Sequence, residues 1–343
     1  MKKLRDRFDA NSFLLFITIL LFFVLYITGA IVFRDKNFIK PQVFLNLFID
    51  NAALIVAAVG MTLVLITAGI DISIGSVIAM ICMLLAYLME RKGVSAGAAI
   101  IISLLVGIIF GTVQGLLVAY LKIQPFIVTL AGMFFARGMT AIISSDMISI
   151  SNAQFLAVAN AKIYLPFFGT LNRKGIMVYP YLYPSVIIAI IVLVAAFVLL
   201  KYTKFGRSIY AVGGNEQSAL LMGLNVKRTK LKVYILNGFL ASLAGVVFGL
   251  NSCGGFVEQA RGFEMEAIAS SVIGGTLLTG GVGNVIGSLF GVLIKGTIET
   301  MITFQGTLSS WWTKIAIAAL LCFFIILQSV LGERTKKNAA KKR

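Results

Sequence analysis

Among the ionisable residues in or beside long apolar runs, four have a chemistry that has to be explained first. Asp71 follows Gly69-Ile70 and precedes Ser73, Arg137 sits in Phe134-Phe135-Ala136-Arg137-Gly138, and Lys295 and Glu299 lie one helical turn apart. A charge is costly in hydrocarbon and must face protein or water, so each is either paired or lines a path. The Asp71 carboxylate can cap the helix that follows it, where backbone N–H groups are unpaired and the dipole favours negative charge; a gating or substrate-path role is the other reading. For Arg137, pairing with a carboxylate and contact with a substrate both stay open. Lys295 and Glu299 are spaced to neutralise each other, a reading that stands ahead of ion coupling. A sugar can lay its C–H face on an aromatic ring while polar groups bind its hydroxyls. Phe126, Phe134, Phe135, Trp311 and Trp312 therefore join Asp71 and Arg137 as candidates for a substrate path, although Trp311-Trp312 also fits an interfacial anchor at the start of a span.

Other chemistry is missing. Histidine is absent, so no Ser-His or Cys-His pair exists to make a nucleophile. No Gly-x-x-x-x-Gly-Lys-Ser/Thr run is present to cradle nucleotide phosphates. Cys82 and Cys322 fall in apolar runs and Cys253 has no evident partner, which implies neither a disulfide nor a cysteine metal site. We expect no catalytic residue, no metal and no enzyme activity in this chain.

The elements that must position these residues are membrane spans. With 343 residues, 59% of them hydrophobic, and a mean hydropathy of +0.98, the chain is too apolar for a soluble globule. It reads as all-α, a polytopic membrane helix bundle forming one transmembrane domain over 1–343. Ten stretches approach the roughly 20 residues a span needs. They run Phe13 to Phe33, Ala52 to Gly69, Gly75 to Met89, Ala96 to Leu121, Pro125 to Ile143, Pro184 to Leu200, Val233 to Leu250, Ala267 to Thr279, Val285 to Thr303 and Trp311 to Leu327, the third and eighth being short. Ten spans put both termini on one side. That side carries Lys2, Lys3, Arg5, Arg7, Lys122, the Lys201 to Lys232 cluster and the basic tail through Lys341, Lys342 and Arg343, 18 of the 30 basic residues against nine opposite. The positive-inside rule makes it cytoplasmic, and the net charge of +17 then reflects membrane orientation rather than nucleic-acid binding. The first span lacks a small-residue cleavage signal and reads as uncleaved.

The longest opposite-side loop, 144–183, is rich in turn residues such as Asn152, Asn160, Gly169 and Gly175 and reads as a partly ordered external segment. Gly107, Gly111 and Gly115, and again Gly283, Gly287 and Gly291, recur every four residues and predict close helix approach. Asp71-Ile72-Ser73-Ile74-Gly75-Ser76 is faintly echoed by Gly283-Asn284-Val285-Ile286-Gly287-Ser288, each at a glycine-rich junction of the kind that broken transporter helices use.

The cytoplasmic loop 201–232 is the longest basic interruption between spans. Within it Asn215 is placed to start a short helix and Gly223 to end it in a left-handed turn. The helix carries Ala219, Leu220, Leu221 and Met222, an apolar knob offered from a basic loop to the aqueous phase. An interfacial helix resting on headgroups is the plainer alternative.

Taken in order, Gly69 to Ser76, Pro125 to Gly138, Tyr210 to Asn215 with Met222-Gly223, and Ile273 to Thr276 with Gly280 to Gly283 resemble the permease subunits of bacterial ribose, xylose and galactose-type ABC importers. Pro125 to Gly138 and Gly306 to Ala316 are most similar to permeases of galactofuranose importers. The resemblance implies a multi-pass subunit of the bacterial cytoplasmic (inner) membrane that pairs with a second permease, identical or a sister chain. It implies a cytoplasmic sugar-transport ATPase that holds ATP and Mg, and an extracytoplasmic sugar-binding protein. In that picture the segment around Gly213, Gly214, Asn215 and Ala219 to Gly223 is the ATPase-coupling element, and the chain itself binds no cofactor. Lys295 with Glu299 departs from the pattern, which implies uncharged polar residues there. Two other classes remain as expectations to weigh: an ion-coupled secondary carrier of a small polar solute, and a receptor or assembly scaffold.

Overall fold

A computed structural model describes residues 10–171, 177–307, 309 and 311–340. The expectations placed on Lys2, Lys3, Arg5, Arg7, Gly175, Lys341, Lys342 and Arg343 lie outside those residues. All ten apolar stretches fold as helices. The order is α1 (Ala10–Val32), α2 (Pro41–Ile66), α3 (Ile74–Glu90), α4 (Ala96–Ala119), α5 (Pro125–Ile143), α6 (Ala153–Ala159), α7 (Pro184–Tyr202), α8 (Lys204–Gly214), α9 (Glu216–Leu221), α10 (Val226–Ser252), α11 (Phe263–Ile273), α12 (Val285–Gln305) and α13 (Trp311–Ala340). Eight of these, α1, α2, α4, α5, α7, α10, α12 and α13, are long and apolar enough to cross a membrane. The other two expected spans are shorter: α3 has 17 residues and α11 only 11.

Several boundaries differ from expectation, each for a local reason. α2 begins at Pro41 rather than Ala52, because Pro41 supplies a preset first-turn residue that needs no partner for its missing N–H. α10 begins at Val226 rather than Val233, because Asn225 Oδ1 accepts from Arg228 N at 3.0 Å and caps it there. α11 stops at Ile273 instead of running to Thr279. The residues after it include Gly275, Gly280 and Gly281, all with positive φ, and the chain turns through 274–284 before α12.

α2 is the axis of the bundle, buried without interruption from Asn51 to Ile66. α10 lies beside it, and α4 closes on α10 through glycines. A methyl at Gly111 would collide with Tyr234 O, and one at Gly107 would collide with Gly238 O. The second glycine series works on α11 in the same way, with Gly287 against Gly274 O and Gly291 against Ser270 O, neither leaving room for a methyl. In lipid, where apolar side chains gain nothing by leaving one hydrocarbon for another, such backbone contact is the main source of helix adhesion.

At the end that the charge pattern assigns to the outside, the described part of the 144–183 loop is held by three short antiparallel pairings. β1 (Ile148–Ser149) pairs β6 (Gly254–Gly255), β2 (Ile163–Tyr164) pairs β5 (Tyr181–Leu182), and β3 (Thr170–Leu171) pairs β4 (Met177–Val178). Asn152 caps α6, and Glu90 at the end of α3 accepts from Ser151 N and Asn152 N, tying the loop to the bundle.

Replacing Gly287 with Ala forces two backbones apart, whereas Ala at Gly97 meets nothing within 4 Å. Overpacking of this kind costs about 1–3 kcal/mol. Thermal unfolding of purified protein in detergent will show a clear loss for G287A and no loss for G97A. Equal stability of the two would refute the backbone-contact account of this bundle.

Candidate functional site

The 201–232 loop, which the charge pattern assigns to the cytoplasm, contains the capped helix, and more besides. Asn215 Oδ1 accepts from Ser218 N at 2.7 Å, and Gly223 has φ +78, so both ends of α9 are set by the residues that the sequence singles out. Leu220, Leu221 and Met222 project from it, 64%, 88% and 66% exposed. Ala219 corrects the expectation: it is fully buried, in a small cluster with Val212 and Val226. The knob is therefore three residues wide, and Ala219 is its root. A second helix, α8, precedes α9, capped by Thr203 Oγ1, which accepts from Gly206 N. Gly213 and Gly214 are the end of α8. Gly213 touches the bundle so closely that a methyl there would overlap Ile66 O.

Ile66 O is the last carbonyl of α2, and it accepts from Gly281 N at 2.8 Å. The foot of α9 thus rests where the two interrupted elements meet, the α2–α3 turn and the 274–284 segment. Tyr210 Oη adds a hydrogen bond to Gly283 O at 2.8 Å, and Asn284 caps α12 by accepting from Ile286 N.

Asp71 organises the α2–α3 turn. It is almost wholly buried, and its Oδ1 accepts from Ser73 N at 2.8 Å and Ser73 Oγ at 2.6 Å. Ser73, not Asp71, holds the N-cap position of α3 and makes no side-chain capping bond, so the carboxylate fixes the turn that precedes the helix. Its Oδ2 accepts from Asn237 Nδ2 of α10 at 2.6 Å, and Gln114 of α4 donates to Ser73 Oγ at 2.9 Å. Thr129 of α5 reaches Ile70 O at 3.3 Å. Sequence reading found Asp71 but neither Asn237 nor Gln114, which are unremarkable in an apolar run until tertiary contact selects them.

The remaining candidates do not converge on Asp71. Arg137 Nη1 donates to Val257 O and Gln259 O, clasping the segment between β6 and α11 without a carboxylate partner among the described residues. Phe126, Phe134 and Phe135 are exposed along α5, and Trp311 and Trp312 are exposed at the start of α13, with Lys314 Nζ 4.5 Å from the Trp311 ring centroid. Lys295 pairs with Glu299 at 2.7 Å as its spacing predicts, and also with Glu266 of α11 at 3.3 Å and Asn51 of α2 at 3.4 Å. Glu266 was invisible in the sequence, because only the fold brings α11 against α12.

Residues 43–325 match the family described as branched-chain amino acid transport system / permease component. Among curated relatives, the inner membrane ABC transporter permease protein YjfF of Escherichia coli K12 is 43% identical, covering 88% of this chain and 89% of its own length. The fructose import permease protein FruG of Bifidobacterium longum is 37% identical over 90% of this chain and 88% of its own. The ribose import permease protein RbsC of Escherichia coli K12 is 35% identical over 88% and 89%. No solved structure gives a significant match.

Removing the partners in the Asp71 network tests it directly. Asp71→Ala leaves the Asn237 amide donor of the Asn237–Asp71 bond without its acceptor, and a buried donor without an acceptor costs about 1–3 kcal/mol. Adding Asn237→Leu removes that stranded donor. Thermal unfolding should fall in D71A and recover in part in D71A/N237L. An equal fall in the two variants would show that Asn237 plays no part in holding the turn.

Proposed function

The chain belongs to the family of branched-chain amino acid transport system permease components, and from that premise we propose that it is the multi-pass permease subunit of an ATP-driven sugar uptake system in the bacterial cytoplasmic membrane. The observation that carries the coupling half of this reading is the exposed Leu220-Leu221-Met222 step on a helix rooted by Ala219. Three large apolar side chains held in water are an interface awaiting its partner. Burying each is worth about 1.5–3 kcal/mol, far above the ~0.2–1 kcal/mol of an exposed ion pair such as Lys230–Glu216. The partner is a cytoplasmic ATPase, which holds ATP and Mg.

The sugar half rests on relatives named for ribose and fructose import, each covered over nearly nine tenths of its length. The family description speaks of amino acids, whereas these individual relatives are named for sugars. A pentose, galactose or galactofuranose type of sugar is the cargo, delivered by an extracytoplasmic binding protein. Phe126 and Phe135 lie on opposite sides of α5, and Phe135 is near Phe110 of α4 at 6.4 Å between ring centroids, so a second permease, identical or a sister chain, rests on the resemblance to two-permease importers. Transport proceeds by alternating access: movement of α9 with the ATPase shifts Gly213-Gly214 against Ile66 and Gly281, and the bundle re-packs between outward and inward states. The carrier alternative loses ground because its charges are occupied. Asp71 is held by Ser73 and Asn237, Arg137 by two carbonyls, and Lys295 by Glu266 and Glu299.

Leu220→Asp with Leu221→Asp would put unpaired charge into the ATPase groove. Uptake should drop at least about tenfold, since such burial exceeds ~1.4 kcal/mol, while the permease still reaches the membrane at normal levels. Unchanged uptake in that double variant would remove α9 from the coupling role.

A further inference from the structure

Beside α9 lies a groove of about 620 Å³, formed by the helix itself, the start of α10 and the turn joining α4 to α5. Lys122, Lys227 and Lys230 line it, with Glu216 as its one carboxylate. Glu216 is neutralised by Lys230 at 2.6 Å. Among the described residues neither Lys122 nor Lys227 has a carboxylate within ion-pair distance, so the groove has an excess of positive charge. Lys122 also has an unusual backbone. It ends the α4 turn with φ +56, a left-handed conformation that glycine adopts freely and a lysine does not.

The groove is amphipathic in a particular way. Ile109, Val113, Leu116 and Tyr120 are exposed at intervals of four, three and four, a single stripe along α4 that ends at the groove. Lys227 Nζ sits 5.7 Å from the Tyr120 ring centroid, joining the stripe to the cationic pocket. An acidic protein segment would satisfy the lysines but not a stripe on a spanning helix. A molecule with an anionic phosphate and hydrocarbon tails satisfies both.

We propose that this groove binds the phosphate headgroup of an anionic phospholipid from the cytoplasmic leaflet, with the acyl chains lying along the α4 stripe. The site joins the bilayer to the element proposed for ATPase docking, because the Lys230–Glu216 pair bridges α10 and α9 within it. It rests only on the chain spanning the membrane, so it stands or falls separately from the identity of the cargo.

The test offers the purified full-length chain equal amounts of phosphatidylglycerol and phosphatidylcholine with matched acyl chains and measures retained lipid by native mass spectrometry. The native chain should retain phosphatidylglycerol preferentially, and Lys122→Gly or Lys227→Gln should each reduce the preference about fivefold. K122G relieves the left-handed strain, so its thermal unfolding should be unchanged or raised, which separates lost binding from lost folding. Lys204→Gln, on α8 outside the groove, should keep the preference. Equal retention of the two lipids, an undiminished preference in K122G/K227Q, or an equal loss in K204Q would overturn the proposal. So would displacement of the lipid by millimolar inorganic phosphate, which would mark a free-anion site, or its complete loss when the partner ATPase binds, which would mark a protein contact.

Discussion

A peptide group inside a bilayer has no water to bond, so wherever a spanning helix is interrupted the protein must pair the freed groups itself. Among the described residues α2 gives way to α3 at 67–73 and α11 to α12 at 274–284, and each break receives a bond from elsewhere in the bundle. Asp71 gathers Ser73 and Asn237 at the first. At the second, Leu277 N reaches Val282 O, and Gly281 N reaches Ile66 O across to the first. The breaks are therefore one assembly. A bonded break can adopt a second arrangement at less cost than a continuous helix, since its residues are already outside the i to i+4 ladder.

That assembly is also where α8 and α9 attach. Gly213 can approach Ile66 O only because it lacks a side chain, and Tyr210 reaches Gly283 from the same helix. Force applied to Leu220, Leu221 and Met222 passes through the Ala219 root to α8, and from α8 to the seam between the two breaks. The outer end is held differently. Glu90 and Arg137 clasp loop backbone there, and Lys295 ties α2, α11 and α12 together through Asn51, Glu266 and Glu299. On the proposed topology, a stiff outer end and a cytoplasmic seam made of glycine contacts suit a bundle driven from the cytoplasmic side.

Much of this was legible in the sequence where a single residue dictates local backbone. Asn215 and Gly223 marked the limits of α9, and the glycine series foretold close helix approach without saying that α10 and α11 would be the partners. The Lys295–Glu299 pair followed from spacing. Legibility failed where the answer depended on what lies opposite. On a six-residue helix nothing in Ala219-Leu220-Leu221-Met222 says which residue turns inward. α8 was hidden because Lys204, Gly206 and Arg207 make its first turn look like loop. Asn237, Gln114 and Glu266 gain their roles only when distant segments meet. The aromatic residues proposed for a sugar path were identified by type, but their exposure on α5 and α13 separates them from Asp71 within one chain.

The most direct measurement is uptake of radiolabelled sugar into vesicles containing this permease with its ATPase and binding protein, scored separately for an ATPase-inactivated complex and for vesicles with collapsed ion gradients. The account predicts uptake that disappears with ATPase activity and survives loss of the gradients. Uptake that persists without ATPase activity and vanishes with the gradients would contradict it.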